Sequence, residues 1–254
     1  MLTAITRQVS ASIANCELSF HERHPIDVER AIAQHDGYER LLSELGLRVV
    51  QLAEEPDLPD AVFVEDAAVV VDEIAVICRM GALSRRPETR SVGDALSEYR
   101  RLEFLTEPAT LDGGDVMRIG RRVFVGASNR TNTEGVAQLR RALAPFGYKV
   151  TEVTVTGCLH LKSACAPVGP DSILVNRKLF DATPLAGFDL IDVPEPEQSA
   201  ANVLSIGNAV IVPASFPETR AMLEARGFEV RSIDVSEFQK AEGGVTCKSI
   251  ILKT

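Results

Sequence analysis

Four kinds of residue in this chain stand where chemistry can be done: one cysteine, one histidine, clustered carboxylates and two loop arginines. Cys247 lies in Val245-Thr246-Cys247-Lys248-Ser249-Ile250-Ile251-Leu252-Lys253-Thr254, just after Gly243-Gly244 and at the start of an apolar run. A thiol where a flexible turn meets a buried strand is held rigidly yet reached from outside. Covalent catalysis asks for that placement, because a thiolate must meet its electrophile at fixed geometry. The plainer alternative is a small buried hydrophobe. His160 sits in Gly157-Cys158-Leu159-His160-Leu161-Lys162-Ser163-Ala164-Cys165, where alternation turns its ring away from the flanking leucines. An imidazole so placed is either a structural core histidine or a proton shuttle.

The carboxylates come in two groups. Asp60-Ala61-Val62-Phe63-Val64-Glu65-Asp66 sets three acids ahead of the apolar run Ala67-Ala68-Val69-Val70-Val71. Adjacent acids between apolar residues are costly to bury unless a cation meets them, so they read either as a strand edge open to water or as a receptor for a guanidinium or ammonium group. In Leu111-Asp112-Gly113-Gly114-Asp115-Val116 the paired glycines let backbone approach closely, and the flanking aspartates can orient a base or hold a cation. The same four residues also suit an ordinary turn between strands. Arg85, in Leu83-Ser84-Arg85-Arg86-Pro87, and Arg130, in Ser128-Asn129-Arg130-Thr131-Asn132, each follow a strand and open a helix. A guanidinium there suits bidentate capture of a carboxylate, unless it is simply a solvated surface arginine. Cys158, His160 and Cys165 are three soft ligands at a non-standard spacing with no second Cys-x-x-Cys half, which argues against structural zinc.

The elements that must hold these residues are those of an α/β protein. The chain has 254 residues, 45% of them hydrophobic, enough to bury a sizeable core. A net charge of −9 with no Lys/Arg cluster argues against nucleic acid and fits a small cationic substrate. No apolar run reaches the roughly 20 residues of a membrane span, and no leader pattern is seen at residues 1–15. Five irregularly spaced cysteines read as reduced thiols and a cytoplasmic setting. A weak repeat recurs at Leu42–Val50, Leu143–Val150 and Leu223–Val230: an amphipathic helix ends at a glycine suited to the left-handed conformation, and an alternating strand follows. Helices are predicted at about 25–45, 131–146 and 216–226, with another near 87–101. Strands are predicted at Ala68–Val71, Ile74–Ile77, Arg122–Val125, Ser172–Val175 and Ala209–Val212, several paired as hairpins. Repeats about 80–100 residues apart with hairpins between them suggest a pseudo-symmetric α/β architecture, and the lack of a Pro/Gly-rich linker predicts one domain over residues 1–254.

Taken jointly, the residues supply a nucleophile, a proton shuttle, its orienting acid, carboxylates for a cation and arginines for an α-carboxylate. Those parts suit attack on the carbon of an arginine-like side chain. Leu111–Val116, Phe124-Val125-Gly126 with Arg130-Thr131-Asn132, Leu159–Ser163 and Thr246-Cys247 resemble, in order and spacing, the signatures of the dimethylarginine dimethylaminohydrolases, within the amidinotransferase/arginine deiminase (pentein) superfamily. The resemblance runs from near Leu18 to Cys247. It implies a five-bladed α/β propeller of ββαβ units, which would explain the repeat. It also implies hydrolysis of methylated arginine to citrulline and an amine, with no cofactor and no catalytic metal.

The roles implied by the resemblance agree with the chemistry. Cys247 attacks the guanidinium carbon, His160 protonates the leaving amine and then activates water, and Asp112 orients the histidine. Asp60, Glu65 and Asp66 surround the charged end of the substrate and its binding loop. Arg85 and Arg130 clamp the α-carboxylate, and Leu18 and Ala241 offer backbone carbonyls to the α-amine. A homodimer is the family expectation, on which the residues themselves are silent. The related arginine deiminases share the core but are longer, and usually carry a Phe-x-Arg-Asp type motif where this chain has Phe63-Val64-Glu65-Asp66. That favours methylated arginine over arginine, although one or two methyls are worth only ~1–3 kcal/mol in an apolar pocket. The alternative is therefore a deiminase or another guanidino hydrolase with the same cysteine and histidine. A loop near Leu18 that closes over the substrate is a further expectation, resting on the small and polar run Ser10–Glu17.

Overall fold

The computed structural model describes residues 1–254. In chain order, β1 (Leu2–Arg7), α1 (Val28–Glu44) and β2 (Arg48–Leu52) come first. Then follow β3 (Ala68–Val70), β4 (Ile74–Ile77), α2 (Thr89–Ser97) and β5 (Arg101–Phe104). The next unit holds β6 (Val116–Ile119), β7 (Arg122–Ala127), α3 (Thr133–Leu143) and β8 (Lys149–Thr154). The one-turn helix α4 (Leu161–Ala164) leads into β9 (Cys165–Pro167), β10 (Ser172–Val175) and β11 (Asp189–Asp192). Last come β12 (Leu204–Ile206), β13 (Ala209–Pro213), α5 (Pro217–Ala225), β14 (Glu229–Ile233), the one-turn helix α6 (Ser236–Gln239) and β15 (Ile250–Lys253).

These strands make five three-stranded sheets, ordered β3-β4-β5, β6-β7-β8, β9-β10-β11, β12-β13-β14 and β15-β1-β2. In each, the central strand pairs antiparallel with the strand before it and parallel with the strand after it. A parallel neighbour needs a long crossover, which is why a helix sits between the second and third strand of four units. The unit of β9–β11 crosses over with only the single turn Thr183–Leu185. The fifth sheet is completed by the two ends of the chain, β15 lying antiparallel to β1. The result is the five-bladed α/β propeller.

The central strands are buried on both faces, which explains their near-continuous apolar sequences: every residue of Ile74–Ile77 and Ala209–Pro213 is buried. Gly46, Gly147 and Gly227, the glycines of the sequence repeat, have φ of 85°, 76° and 87°. They end α1, the turn after α3, and α5, where a β-carbon would strain the left-handed backbone. The predicted helix at 25–45 begins later, because Asp27 takes the N-cap and accepts from the Arg30 amide at 3.0 Å. The helix near 87–101 shortens to Thr89–Ser97, and α4 and α6, each four residues long, have too little periodicity to show in sequence. No helix is long and apolar enough to cross a membrane.

Candidate active site

Glu65, Asp66, Asp112, His160 and Cys247 lie on the segments that precede the first strand of four of the five sheets, whereas Arg85 and Arg130 follow the central strands β4 and β7. Val64–Ala67 is a single 3-10 turn before β3, and Gly113–Asp115 another before β6. His160 is the N-cap of α4, before β9, and Cys247 is in the turn before β15. Thus His160 is not in an alternating strand, as its leucine neighbours suggested; the chain turns immediately after it.

His160 is buried between two aspartates. Its Nε2 is 3.2 Å from Asp112 Oδ2, and its Nδ1 lies 3.8 Å from Asp66 Oδ1. Both acids are fixed in turn by backbone amides, Gly81 donating to Asp112 Oδ1 at 2.8 Å and Gly114 to Asp66 Oδ1 at 2.9 Å. Gly114 has a steric reason as well: a β-carbon there would lie 2.5 Å from His160 Nδ1 and 2.6 Å from Asp66 Oδ1. Asp115, one residue on, accepts from the Leu161 amide at 2.9 Å, from Ser128 Oγ at 2.6 Å and from Thr131 Oγ1 at 2.7 Å. It thereby anchors the start of α4, and so the histidine. Burial by itself would lower the basicity of His160, but Asp66, Asp112 and Asp115 outweigh it and hold the imidazole at a pKa of about 9.

Cys247 is half-buried, and the Gly244 amide donates to its Sγ at 3.3 Å. Burial, then the charges of Glu65 and Asp66, push its thiol up to about 12, against the pull of the Gly244 amide and Lys162. Beside it, Glu65 is fully engaged: Lys162 Nζ is 2.6 Å from Oε1, and Thr246 Oγ1 donates to Oε2 at 2.8 Å. The Glu65 amide donates to the Cys247 carbonyl at 3.1 Å, so the acid segment and the cysteine turn are stitched directly together. Asn202 ties in the segment before β12. Its Nδ2 donates to Lys162 O and Thr246 Oγ1, and its Oδ1 accepts from the Thr246 amide. A cavity of about 480 Å³, bordered by Phe20, Cys158, Asn202, Glu242 and Gly244, opens on this side of the cysteine turn.

The remaining candidates gather in the same region with differing freedom. Asp60 Oδ2 accepts from the Glu17 amide at 3.1 Å, pinning the loop that carries Leu18. Burial raises its pKa against the pull of Arg85. Leu18, Ala241 and Cys247 pack in one apolar cluster with Phe63 and Phe238. Arg130 contacts Glu17 at 3.5 Å and Ser19 at 3.3 Å through Nη2, while its buried Nη1 has no acceptor. Arg85 is different. Its Nε and Nη2 grip Glu88 at 3.0 and 2.9 Å, and Nη1 meets Asp66 at 2.8 Å. Although burial alone works against its charge, Glu88, Asp66 and Asp60 hold it firmly protonated. Ion-pair donors that look like surface loop arginines in sequence are therefore a free donor in one case and an internal brace in the other.

Sequence reasoning did not assign roles to Lys162, Thr246, Asn202, Glu88 or Glu242. Lys162 had a visible signal, a charge between Leu161 and Ser163-Ala164 beside the histidine. Glu88 and Asn202 had none, because their partners are distant in sequence.

A five-bladed α/β propeller with a cysteine, an acid-flanked histidine and buried carboxylates at the hub is a pentein of the guanidino-modifying class. Residues 4–252 match the family described as N,N dimethylarginine dimethylhydrolase, eukaryotic. The chain is 39% identical over 252 residues to an N(G),N(G)-dimethylarginine dimethylaminohydrolase of Streptomyces coelicolor, covering 98% of this chain and 96% of that one. It is 33% identical to the protein of the same name in Pseudomonas aeruginosa, covering 97% of each. A solved structure of the Pseudomonas aeruginosa enzyme, a cysteine-to-serine variant complexed with citrulline, superposes with a TM-score of 0.95 at 31% identity, over 99% of this chain and 100% of that one. The chain belongs to the dimethylarginine dimethylaminohydrolase family.

Proposed function

We propose that this protein hydrolyses Nω,Nω-dimethyl-L-arginine, and the Nω-monomethyl form, to L-citrulline and the corresponding amine. The observation that carries the reading is a half-buried cysteine, held by the Gly244 amide, in a turn bonded to the Glu65-Asp66 segment, whose Asp66 flanks with Asp112 a buried histidine. At rest these two groups are thiol and imidazolium. A guanidinium entering beside Asp66 brings the positive charge that offsets the acids opposing thiolate formation, so the thiol loses its proton to solvent as substrate seats. Cys247 Sγ then attacks the guanidinium carbon. The carbon–nitrogen bond to the methylated nitrogen breaks, and His160 gives its proton to the departing amine. An S-alkylthiouronium remains on Cys247. The now neutral His160 takes a proton from water, the resulting hydroxide adds to the same carbon, and the carbon–sulfur bond breaks to return the thiolate, the remaining hydroxyl proton passing to solvent to leave the neutral ureido group of citrulline.

Binding of the amino-acid end follows from what is free. Arg130 Nη1 is an unused buried donor suited to the α-carboxylate, whereas Arg85, its nitrogens taken by Glu88 and Asp66, serves by holding Asp66 in place. The carbonyls of Leu18 and Ala241, with Asp60 nearby, suit the α-amine. Glu65 acts through Lys162 and Thr246 to shape the floor under Cys247. None of these steps calls on a metal or cofactor. Five free cysteines accord with a cytoplasmic setting.

The test is amine release from asymmetric dimethylarginine, monomethylarginine and arginine, with wild type and Cys247→Ser side by side. Dimethylamine and citrulline from wild type alone support the reading. Ammonia from arginine outpacing amine from the methylated substrates would move the substrate to that of a deiminase while keeping the chemistry.

A further inference from the structure

The segment Ser19–His21 is fastened to the cysteine turn by a single carboxylate oxygen. Glu242 Oε1 accepts from three successive amides, those of Ser19 at 2.9 Å, Phe20 at 2.6 Å and His21 at 2.7 Å. Consecutive amides converging on one anion form a nest, which prefers a full negative charge to a neutral acceptor. Glu242 is also the one non-glycine residue with positive φ, at 58°, and it precedes Gly243-Gly244. A glutamate in the left-handed region is uncommon, and such strain persists where the surroundings require that side chain. Its other oxygen, Oε2, is buried without a partner, as is Arg130 Nη1, whose sister Nη2 touches Glu17 and Ser19. The loop of residues 17–21 thus lies between an acid on one flank and an arginine on the other, each with one unused atom. Leu18 stands between the two attachments.

We propose that Glu242 is a positioning residue that latches the 17–21 loop, so that the Leu18 carbonyl is presented to the substrate's ammonium group. The inference rests on the substrate reading above for its kinetic part only. The latch acts before chemistry: it sets how well the amino-acid end is held, and it leaves the attack by Cys247 on the guanidinium carbon unaltered. Its loss therefore appears in KM and in the exposure of the loop, with little change in kcat.

Glu242→Gly is the informative variant, because glycine relieves the left-handed backbone while removing the carboxylate. The thermal midpoint should equal or exceed that of wild type. KM for dimethylarginine should rise by about 10-fold or more, with kcat within about threefold. Trypsin cleavage after Arg23, in the exposed stretch that follows the latch, should accelerate over the same time course. Glu242→Gln, which keeps an acceptor oxygen without the charge, should fall between the two in both readouts. A KM within twofold of wild type, or cleavage after Arg23 at the wild-type rate, overturns the proposal. Should wild type turn over no methylated arginine, the cleavage rates alone decide it.

Discussion

The thiol of Cys247 is surrounded by acids, and the imidazole of His160 by more of them, so the two groups are pushed away from neutrality-matched pKa values in the same direction. With the thiol up at about 12, alkylation of the ligand-free protein by iodoacetamide should be slow at pH 7 and climb about tenfold per pH unit without a plateau below pH 10. A plateau near pH 8 would contradict the arrangement. His160, held at about 9, carries the proton it must donate until the pH passes that value, so the rate should fall on the alkaline side. The same group works on stability with the sign of a raised basic pKa: its contribution is complete below the unfolded value of 6.5 and is lost as pH rises through about 9. Asp112→Asn removes one of the carboxylates that raise it and the acceptor 3.2 Å from Nε2. Turnover should drop about 10²–10⁴-fold, and the alkaline limb of the kcat/KM profile should move down toward 6.5. An unmoved limb in a folded variant would show that Asp112 does not set the histidine's charge.

At the level of elements, α1 and α6 meet over a buried lysine that follows the cysteine. Lys248 is fully buried, its Nζ lies 4.1 Å from the Tyr38 ring centre and 4.5 Å from that of Phe238, and no acceptor reaches it. Burial lowers its pKa to about 7, so as pH falls from about 10.5 to 7 the unfolded chain gains a proton that the fold resists, and stability declines. Lys248→Met keeps the stem's packing and removes that penalty. The variant should be more stable by an amount on the order of a few kcal/mol, larger at pH 6 than at pH 9, read from urea midpoints at both values. Equal stability at both would mean that the two rings solvate the ammonium as well as water does. Nothing in Thr246-Cys247-Lys248-Ser249 reveals this lysine as buried; an isolated charge at the head of an apolar run reads as solvated. The long helices and the glycines that end them were legible, since a 3.6-residue period and a left-handed cap leave marks in one stretch of chain. The same was true of Cys247, His160 and Asp112, whose neighbours carry recognisable motifs. The inward turn of Arg85 was not, because Glu88 and Asp66 decide it through packing rather than through a pattern.

The whole molecule is a ring whose last sheet is made by β15 against β1 at four paired positions. Ile5, Ile250 and Leu252 are buried in one cluster with Val64 and Ile77, so this sheet is joined through its apolar face to the neighbouring blade. Removing Ile250–Thr254 strips β1 of its antiparallel partner and uncovers that cluster. The truncated protein should lose its cooperative thermal transition and all turnover, a result read by calorimetry and by citrulline formation. A sharp transition close to that of the full chain would show that the other four blades fold without closure.

The carboxylates of Asp66, Asp112 and Asp115 hold three amides, those of Gly114, Gly81 and Leu161, that no helix or sheet ladder protects. Those three hydrogens report on the hub in the language of isotope exchange. They can trade for deuterium only when carboxylate and amide separate, and each carboxylate joins segments that lead into different blades. A local fraying of one loop would release one of them; a hub that opens as a unit would release all three at a common rate, set by the free energy of parting the blades.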